Sequence, residues 1–180
     1  MNMSVKKENE KGPIRLNKYV AHSGICSRRK ADEHIQNGLV KVNEEVVTNP
    51  AHRVQPGDQV FFKNKPIQPG ERKVYILLNK PKNTITTVND PRGRRTVMDI
   101  VGHKVKERIY PVGRLDRDTV GLLLLTNDGE LAKKMAHPSY EVKKVYHVTL
   151  DREVSNADLS KIRAGLELED GHAPVDSVSH

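Results

Sequence analysis

The stretch Ile109-Tyr110-Pro111-Val112-Gly113-Arg114-Leu115-Asp116-Arg117-Asp118-Thr119-Val120-Gly121-Leu122-Leu123-Leu124-Leu125-Thr126-Asn127-Asp128 decides how the second half of this chain folds. Ile109 to Val112 and Leu122 to Thr126 read as strands, with a charged turn between them. Asn127 or Asp128 then caps a helix that runs to about Ala136 and stops near Pro138. Strand, turn, strand and helix in that order predict an α+β unit. Four consecutive leucines are expected to be buried, which places Arg114, Asp116, Arg117 and Asp118 at the mouth of a core. Charge in such a place is costly unless paired, and functional ionisable groups gather there. A turn held by a structural Arg–Asp pair fits the same spacing, so both readings stand on these residues alone.

Further along the chain, Val142 to Leu150 alternates as a strand, with Val142, Tyr146 and Val148 on one face. Ser155 opens another helix, with Asp158 three residues on. Upstream, Val74 to Leu78 is a strand-like apolar run, Thr84 to Arg95 a polar, basic loop, and Thr96 to Val101 a short helix. Asn64 to Arg72, with two prolines and a glycine, reads as a linker. Before it, Ile14 to about Phe62 reads as a separate compact unit. Leu16, Tyr19 and Val20 recur at helical spacing up to a stop at Gly24. Ser27 caps a second helix that ends at Gly38 and turns Ala31 and Ile35 inward. Short strands are expected at Leu39–Val42, Val46–Thr48 and Gln59–Lys63, joined through turns at Asn43-Glu44 and Gln55-Pro56-Gly57-Asp58. The expected organisation is a disordered basic leader over 1–13, a first domain over 14–63, a linker over 64–72 and a second domain over 73–180.

The chain has 180 residues, 36% of them hydrophobic and 4% aromatic, with no Trp. No apolar run approaches the roughly 18 residues of a membrane span, and the polar N-terminus is not a secretory signal. A single cysteine, Cys26, excludes an internal disulfide and makes the cytoplasm the default location. The eight histidines are scattered without metal-ligand spacing, so no metal site is expected. The net charge of +8 is uneven. Residues 1–70 carry 12 basic and 7 acidic side chains, residues 71–150 carry 16 and 9, and residues 151–180 carry 3 and 7. A cationic field over the first two segments favours a polyanion, with nucleic acid the leading candidate.

Arg28, Arg29 and Lys30 occupy the first turn of the second helix, where the helix dipole disfavours cations. Asp32 and Glu33 follow Arg28 and Arg29 by four residues, so a self-paired exposed helix is one reading. The favoured one is a phosphate site, where free N–H groups and side-chain cations converge near Arg15, Lys18 and Lys41. The segments Ile14–Val20, Ser23–Asp32 with Ser27 at its centre, Gly38–Asn43 and Pro56–Asp58 resemble the αL RNA-binding domain named after a small-subunit ribosomal protein. That resemblance implies RNA binding through Arg15, Lys18, Ser27, Arg28, Arg29, Lys30 and Lys41.

Leu78–Pro81, Tyr110–Asp116, Thr119, Gly121–Gly129, His137-Pro138 and Lys144–Tyr146 resemble the ribosomal-RNA pseudouridine synthases, in the branch that carries the αL domain. The resemblance implies an α+β chain in which the αL domain precedes a mixed or antiparallel-sheet catalytic domain. It implies isomerisation of one uridine of ribosomal RNA from an N-glycoside to a C-glycoside, without metal or cofactor. Asp116 matches the family's catalytic aspartate and Tyr146 the aromatic residue that packs on the target base, which must leave its stack. Attack on the sugar, attack on the base and removal of a sugar proton each require an ionised carboxylate beside the glycosidic bond. Arg114, two residues away, is expected to hold that carboxylate or the RNA backbone. Lys80, Arg92, Arg94 and Arg95 are candidate phosphate contacts.

The implied partner is ribosomal RNA or a ribosomal assembly intermediate, leaning to the large subunit, with the protein acting as a monomer. Family members continue into a strand and helix whose basic motif supplies an arginine facing the aspartate. This sequence ends at Ser177–His180, so a truncated domain of low or absent activity is expected. Two alternatives accompany this reading: a non-enzymatic RNA-binding protein, and a magnesium-dependent phosphatase suggested by Asp116-Arg117-Asp118-Thr119-Val120.

Overall fold

The structure, a computed structural model, describes residues 12–70, 72–169 and 171–179. Apart from Gly12 and Pro13, the expected leader lies outside these residues. The described residues fall into two units, the first reaching Val142 and the second starting at Lys143.

In the first unit, a short strand β1 (Ile14–Arg15) leads into helix α1 (Leu16–His22), followed by helix α2 (Arg28–Gln36). Leu16 and Val20 of α1, and Ala31 and Ile35 of α2, stand four residues apart on one face and are fully buried. Ser27 caps α2, its Oγ accepting from the Lys30 N–H at 3.2 Å, and Gly24 and Gly38 take the left-handed conformation after their helices. A four-stranded antiparallel sheet completes this core in the order β3-β2-β5-β6, from β2 (Val40–Val42), β3 (Glu45–Val46), β5 (Val60–Phe62) and β6 (Lys65–Ile67). Strand β4 (Arg53–Val54) pairs with β1. Val40, Val42, Val54 and Val60 close the core over the helices.

Strand β6 corrects the linker expected over Asn64–Arg72. Lys63 and Asn64, both at positive φ, make a two-residue turn that folds Lys65–Ile67 back onto β5. Pro66 is tolerated because β6 is an edge strand. The Tyr19 hydroxyl donates to the Ile67 carbonyl at 3.2 Å and fastens that edge to α1.

The same unit holds a second core beneath a three-stranded antiparallel sheet, in the order β7-β9-β8: β7 (Tyr75–Lys80), β8 (Tyr110–Pro111) and β9 (Gly121–Thr126). The register pairs Tyr75 with Thr126 and Lys80 with Gly121. Helix α3 (Val97–Val101) carries a full capping box at Thr96 and Asp99 and packs Val97 and Val101 against Leu123, Leu125 and Ile109. The four leucines are therefore not all buried, as their apolarity suggests. Leu123 and Leu125 point inward, whereas Leu122 is 68% exposed, with Leu77 on β7 at 65%. Successive strand residues face opposite sides, and within this unit one side of the sheet is covered.

Helix α4 (Gly129–Ala136) begins at a polar clasp. Asp128 Oδ1 accepts from the Glu130 and Leu131 N–H groups, while Oδ2 accepts from the Tyr75 hydroxyl at 2.9 Å and pairs with Lys73 at 2.7 Å. Asn127 bridges the Val74 N–H and the Arg72 carbonyl. The chain entering β7 is thus tied to the chain leaving β9.

In the second unit, helix α5 (Asn156–Ala164) is capped by Ser155 as expected, and β10 (Leu166–Leu168) pairs antiparallel with β11 (Gly171–Ala173). The strand expected over Val142–Leu150 is not formed. An alternating sequence makes a face, but a strand also needs a partner for its backbone groups. No residue of this segment takes part in a strand, and Val145, Tyr146 and Val148 remain exposed.

Burial alone would raise the Asp128 carboxyl, but hydrogen bonds from Lys73, the Leu131 N–H and Tyr75 outweigh it and hold it down at about 2. A depressed carboxylate stabilises the fold above the ordinary aspartate range and loses that effect as pH falls through its folded value, here worth about 2 kcal/mol. Thermal unfolding of Asp128→Asn should therefore show a lower Tm at pH 7. Its decline between pH 4 and pH 2 should be shallower than that of the parent chain. Parallel profiles would contradict the clasp.

Candidate active site

Asp116 lies on the connection between β8 and β9. Gly113, at φ 76°, turns the chain out of β8, and Leu115 is half-buried against the second core. The Asp116 carbonyl then accepts from the Thr119 N–H at 3.1 Å, closing a turn, before Gly121 opens β9. The loop is held from outside by the segment after β7. Thr86 Oγ1 donates to the Leu115 carbonyl at 2.7 Å, and Lys80 Nζ donates to the Arg117 carbonyl at 3.0 Å. The Arg117 guanidinium donates to Asn83 Oδ1.

The Asp116 and Arg114 side chains are exposed, with no hydrogen bond or ion pair to another described residue. The structural Arg–Asp pair considered for this stretch is therefore not formed within ion-pair distance, and the charges sit outside the core. Arg117 turns to an amide rather than a carboxylate. What the arrangement offers is an accessible carboxylate on a backbone held on both sides.

The candidate phosphate contacts divide into those already engaged and those open to solvent. Lys80 is a correction: it is fully buried, and its Nζ is taken up by the carbonyls of Pro81, Thr84 and Arg117. Arg94 is locked onto Asp90, whose carboxyl its guanidinium and N–H hold down at about 2. Arg92 and Arg95 of the same loop are exposed. In the first core's helices, Lys18 pairs with Glu130 at 3.6 Å and Lys30 with Glu33 at 2.5 Å. Asp32 accepts from Asn17 Nδ2 at 2.7 Å, so it joins α1 to α2 instead of neutralising Arg28. Arg28 and Arg29 stand exposed beside Ser27 with no acidic partner among the described residues, Arg15 is exposed on β1, and Lys41 is half-buried on β2. Tyr146 belongs to the second unit and is 80% exposed.

Sequence reasoning passed over Thr86 and Asn83, whose roles depend on partners 29 and 34 residues away. It also passed over Lys73 and Tyr75, whose shared partner Asp128 it recognised only as a cap. An open groove of about 1530 Å³ in the first unit is lined by Lys18, Arg28, Lys73, Arg108 and Lys133 against Asp58, Asp128 and Glu130. Its charges are mixed, and it does not include the Asp116 loop.

Comparison with known proteins adds to this geometry. Residues 14–60 match the family model of the S4 domain, and residues 74–178 match that of RNA pseudouridylate synthase. The chain is 44% identical over 167 residues to an uncharacterized RNA pseudouridine synthase of Aquifex aeolicus, covering 92% of this chain and 66% of that one. It is 45% identical over 157 residues to the ribosomal large subunit pseudouridine synthase B of Bacillus subtilis, covering 87% and 64%. It is 39% identical over 157 residues to a dual-specificity RNA pseudouridine synthase of Escherichia coli, covering 86% and 53%. The chain thus spans 64–66% of the length of the first two relatives and 53% of the third.

The geometry at α2 separates folding from binding roles. Ser27→Ala should lower stability by about 1 kcal/mol through loss of the cap. Arg28→Ala with Arg29→Ala should leave stability unchanged or raise it by a few tenths of a kcal/mol, since cations oppose the dipole there. Urea unfolding of the two variants measures both, and a destabilised double-arginine variant would refute this assignment.

Proposed function

The chain belongs to the RNA pseudouridylate synthase family, and we propose that it isomerises a uridine of ribosomal RNA to pseudouridine with Asp116 as its catalytic carboxylate. The observation that carries the reading is the state of that residue. Asp116 lies in the span matched to the synthase family, its side chain is free of any described partner, and its loop is fastened through the backbone. A carboxylate left out of the fold's own pairing is available to a substrate, and stacked RNA must extrude its base to meet it.

The reaction breaks the bond from the ribose C1′ to N1 of uracil, turns the base and joins C1′ to C5; C5 then gives up its hydrogen as a proton, and N1 takes up a proton. The atoms of the uridine balance within the nucleotide, and in this reading no metal or cofactor takes part. Asp116 acts at the glycosidic bond, whose surroundings become dry once RNA covers the loop. Arg114 holds a backbone phosphate near it, and stacking on an extruded base is the role that the family resemblance implies for Tyr146. The exposed cations Arg28, Arg29, Arg15, Arg92 and Arg95, with Lys41, bind phosphates elsewhere along the RNA. The ribosomal large subunit is the proposed source of the target, supported by the similarity to the large subunit synthase of Bacillus subtilis. We place the protein in the cytoplasm as a monomer. Among the described residues no helix is long and apolar enough to cross a membrane.

A second reading, binding without chemistry, draws on Asp116 forming no ion pair among the described residues. Asp116→Asn separates the two. The catalytic reading expects loss of pseudouridine from a large-subunit RNA transcript with RNA affinity unchanged, whereas no product from the unaltered chain favours the binding module. For the RNA interface, Arg28→Ala with Arg29→Ala should weaken binding to all sequences. The slope of log affinity against log salt should fall by about 1 for each phosphate contact removed.

A further inference from the structure

Lys80 presents a problem that the fold by itself does not require. It is fully buried, and it has no carboxylate partner among the described residues. A lysine side chain in that position is costly unless each of its three donors is matched. Here each is, by the carbonyls of Pro81 at 3.1 Å, Thr84 at 2.8 Å and Arg117 at 3.0 Å. Two of these acceptors are local, and the third belongs to the loop that carries Asp116. The Arg117 carbonyl also accepts from the Thr84 N–H at 3.2 Å.

On the other side of Asp116, the buried Thr86 hydroxyl engages Leu115 twice. It donates to the Leu115 carbonyl at 2.7 Å and accepts from the Leu115 N–H at 3.3 Å. The residues immediately before and after Asp116 are therefore both pinned, while its own carboxylate is untouched. An apolar residue at position 80 would fill the same volume without demanding acceptors. The polar solution instead confers a fixed path on an irregular loop.

We propose that Lys80 and Thr86 are positioning residues for the isomerisation, holding the backbone on either side of Asp116 so that its carboxylate meets the uridine in one orientation. This rests on the reading of Asp116 as the catalytic carboxylate. A loop fixed before RNA arrives does not have to be ordered during the reaction, and displacement of a reacting group by about 1 Å costs on the order of a hundredfold in rate.

The test uses the full 180-residue chain with Thr86→Val, which keeps the side-chain shape and removes the hydroxyl, Thr86→Ser, which keeps the hydroxyl, and Lys80→Met. Amide hydrogen exchange at Leu115 and Thr84 and tryptic cleavage after Arg117 report the hold on the loop. Single-turnover and steady-state pseudouridine formation on a large-subunit RNA transcript report its consequence. In Thr86→Val, the Leu115 amide should exchange faster and Arg117 should be cut sooner, with exchange at Leu123 unchanged. Its kcat should fall by roughly tenfold or more at unchanged KM and RNA affinity. Thr86→Ser should restore both readouts, and Lys80→Met should loosen Thr84 in the same way if it folds. A loosened loop with undiminished kcat overturns the positioning role, and a loop that is not loosened in Thr86→Val overturns the contact itself. Product from Asp116→Asn at the parent rate overturns the assignment of Asp116 instead, whatever the loop data show.

Discussion

Burial of Leu123 and Leu125 beneath α3 fixes which way β9 faces, and the rest of the second core is arranged around that choice. Strand β9 is the central strand, so its orientation sets the register of both β7 and β8. At one end it delivers Asp128 to the start of α4, where the carboxylate gathers Lys73, Tyr75 and two N–H groups. At the other end it places Gly121 opposite Lys80, which brings the loop of Asp116 within reach of the segment after β7. One inward-facing pair of leucines thus connects a stability device to a candidate reaction site.

The cations of this protein divide by what the fold asks of them. Lys80, Arg117 and Arg94 hold loops together, and Lys73 supports a helix cap. The side chains of Arg28, Arg29, Arg92, Arg95 and Arg114 are exposed and form no ion pair among the described residues. Surface cations kept free of acids preserve the field that draws a polyanion, whereas engaged ones contribute little to it. The same separation applies to the acids: Asp128, Asp90 and Asp32 are occupied by the protein, and Asp116 is not.

Much of the fold was legible because its signals are local. Ser27, Asp128 and Ser155 cap their helices as their positions suggested, and Asn43-Glu44 makes the expected turn through two residues at positive φ. The failures share a cause. Lys65–Ile67 was hidden by Pro66, because an edge position that tolerates proline is a property of the sheet. The apolar run predicts burial for Leu122, which is exposed, because such a run does not say how many faces of its strand are covered. Val142–Leu150 has the alternation of a strand, but pairing depends on a neighbour elsewhere in the chain.

The Asp116 stretch itself shows where that boundary falls. The order of motifs along the chain identified the family and singled out the aspartate, since both are written in residue identity and spacing. The state of that aspartate was not written there. Whether Arg114 paired with it, whether Lys80 met a phosphate or three carbonyls, and whether Thr86 touched the loop at all depended on contacts 29 to 37 residues apart in the chain. Caps and turns are decided within about four residues, so sequence alone determines them. Hydrogen bonds between distant loops exist only after β7 and β9 have aligned, and so the exposure and support of the site were decided by the tertiary fold.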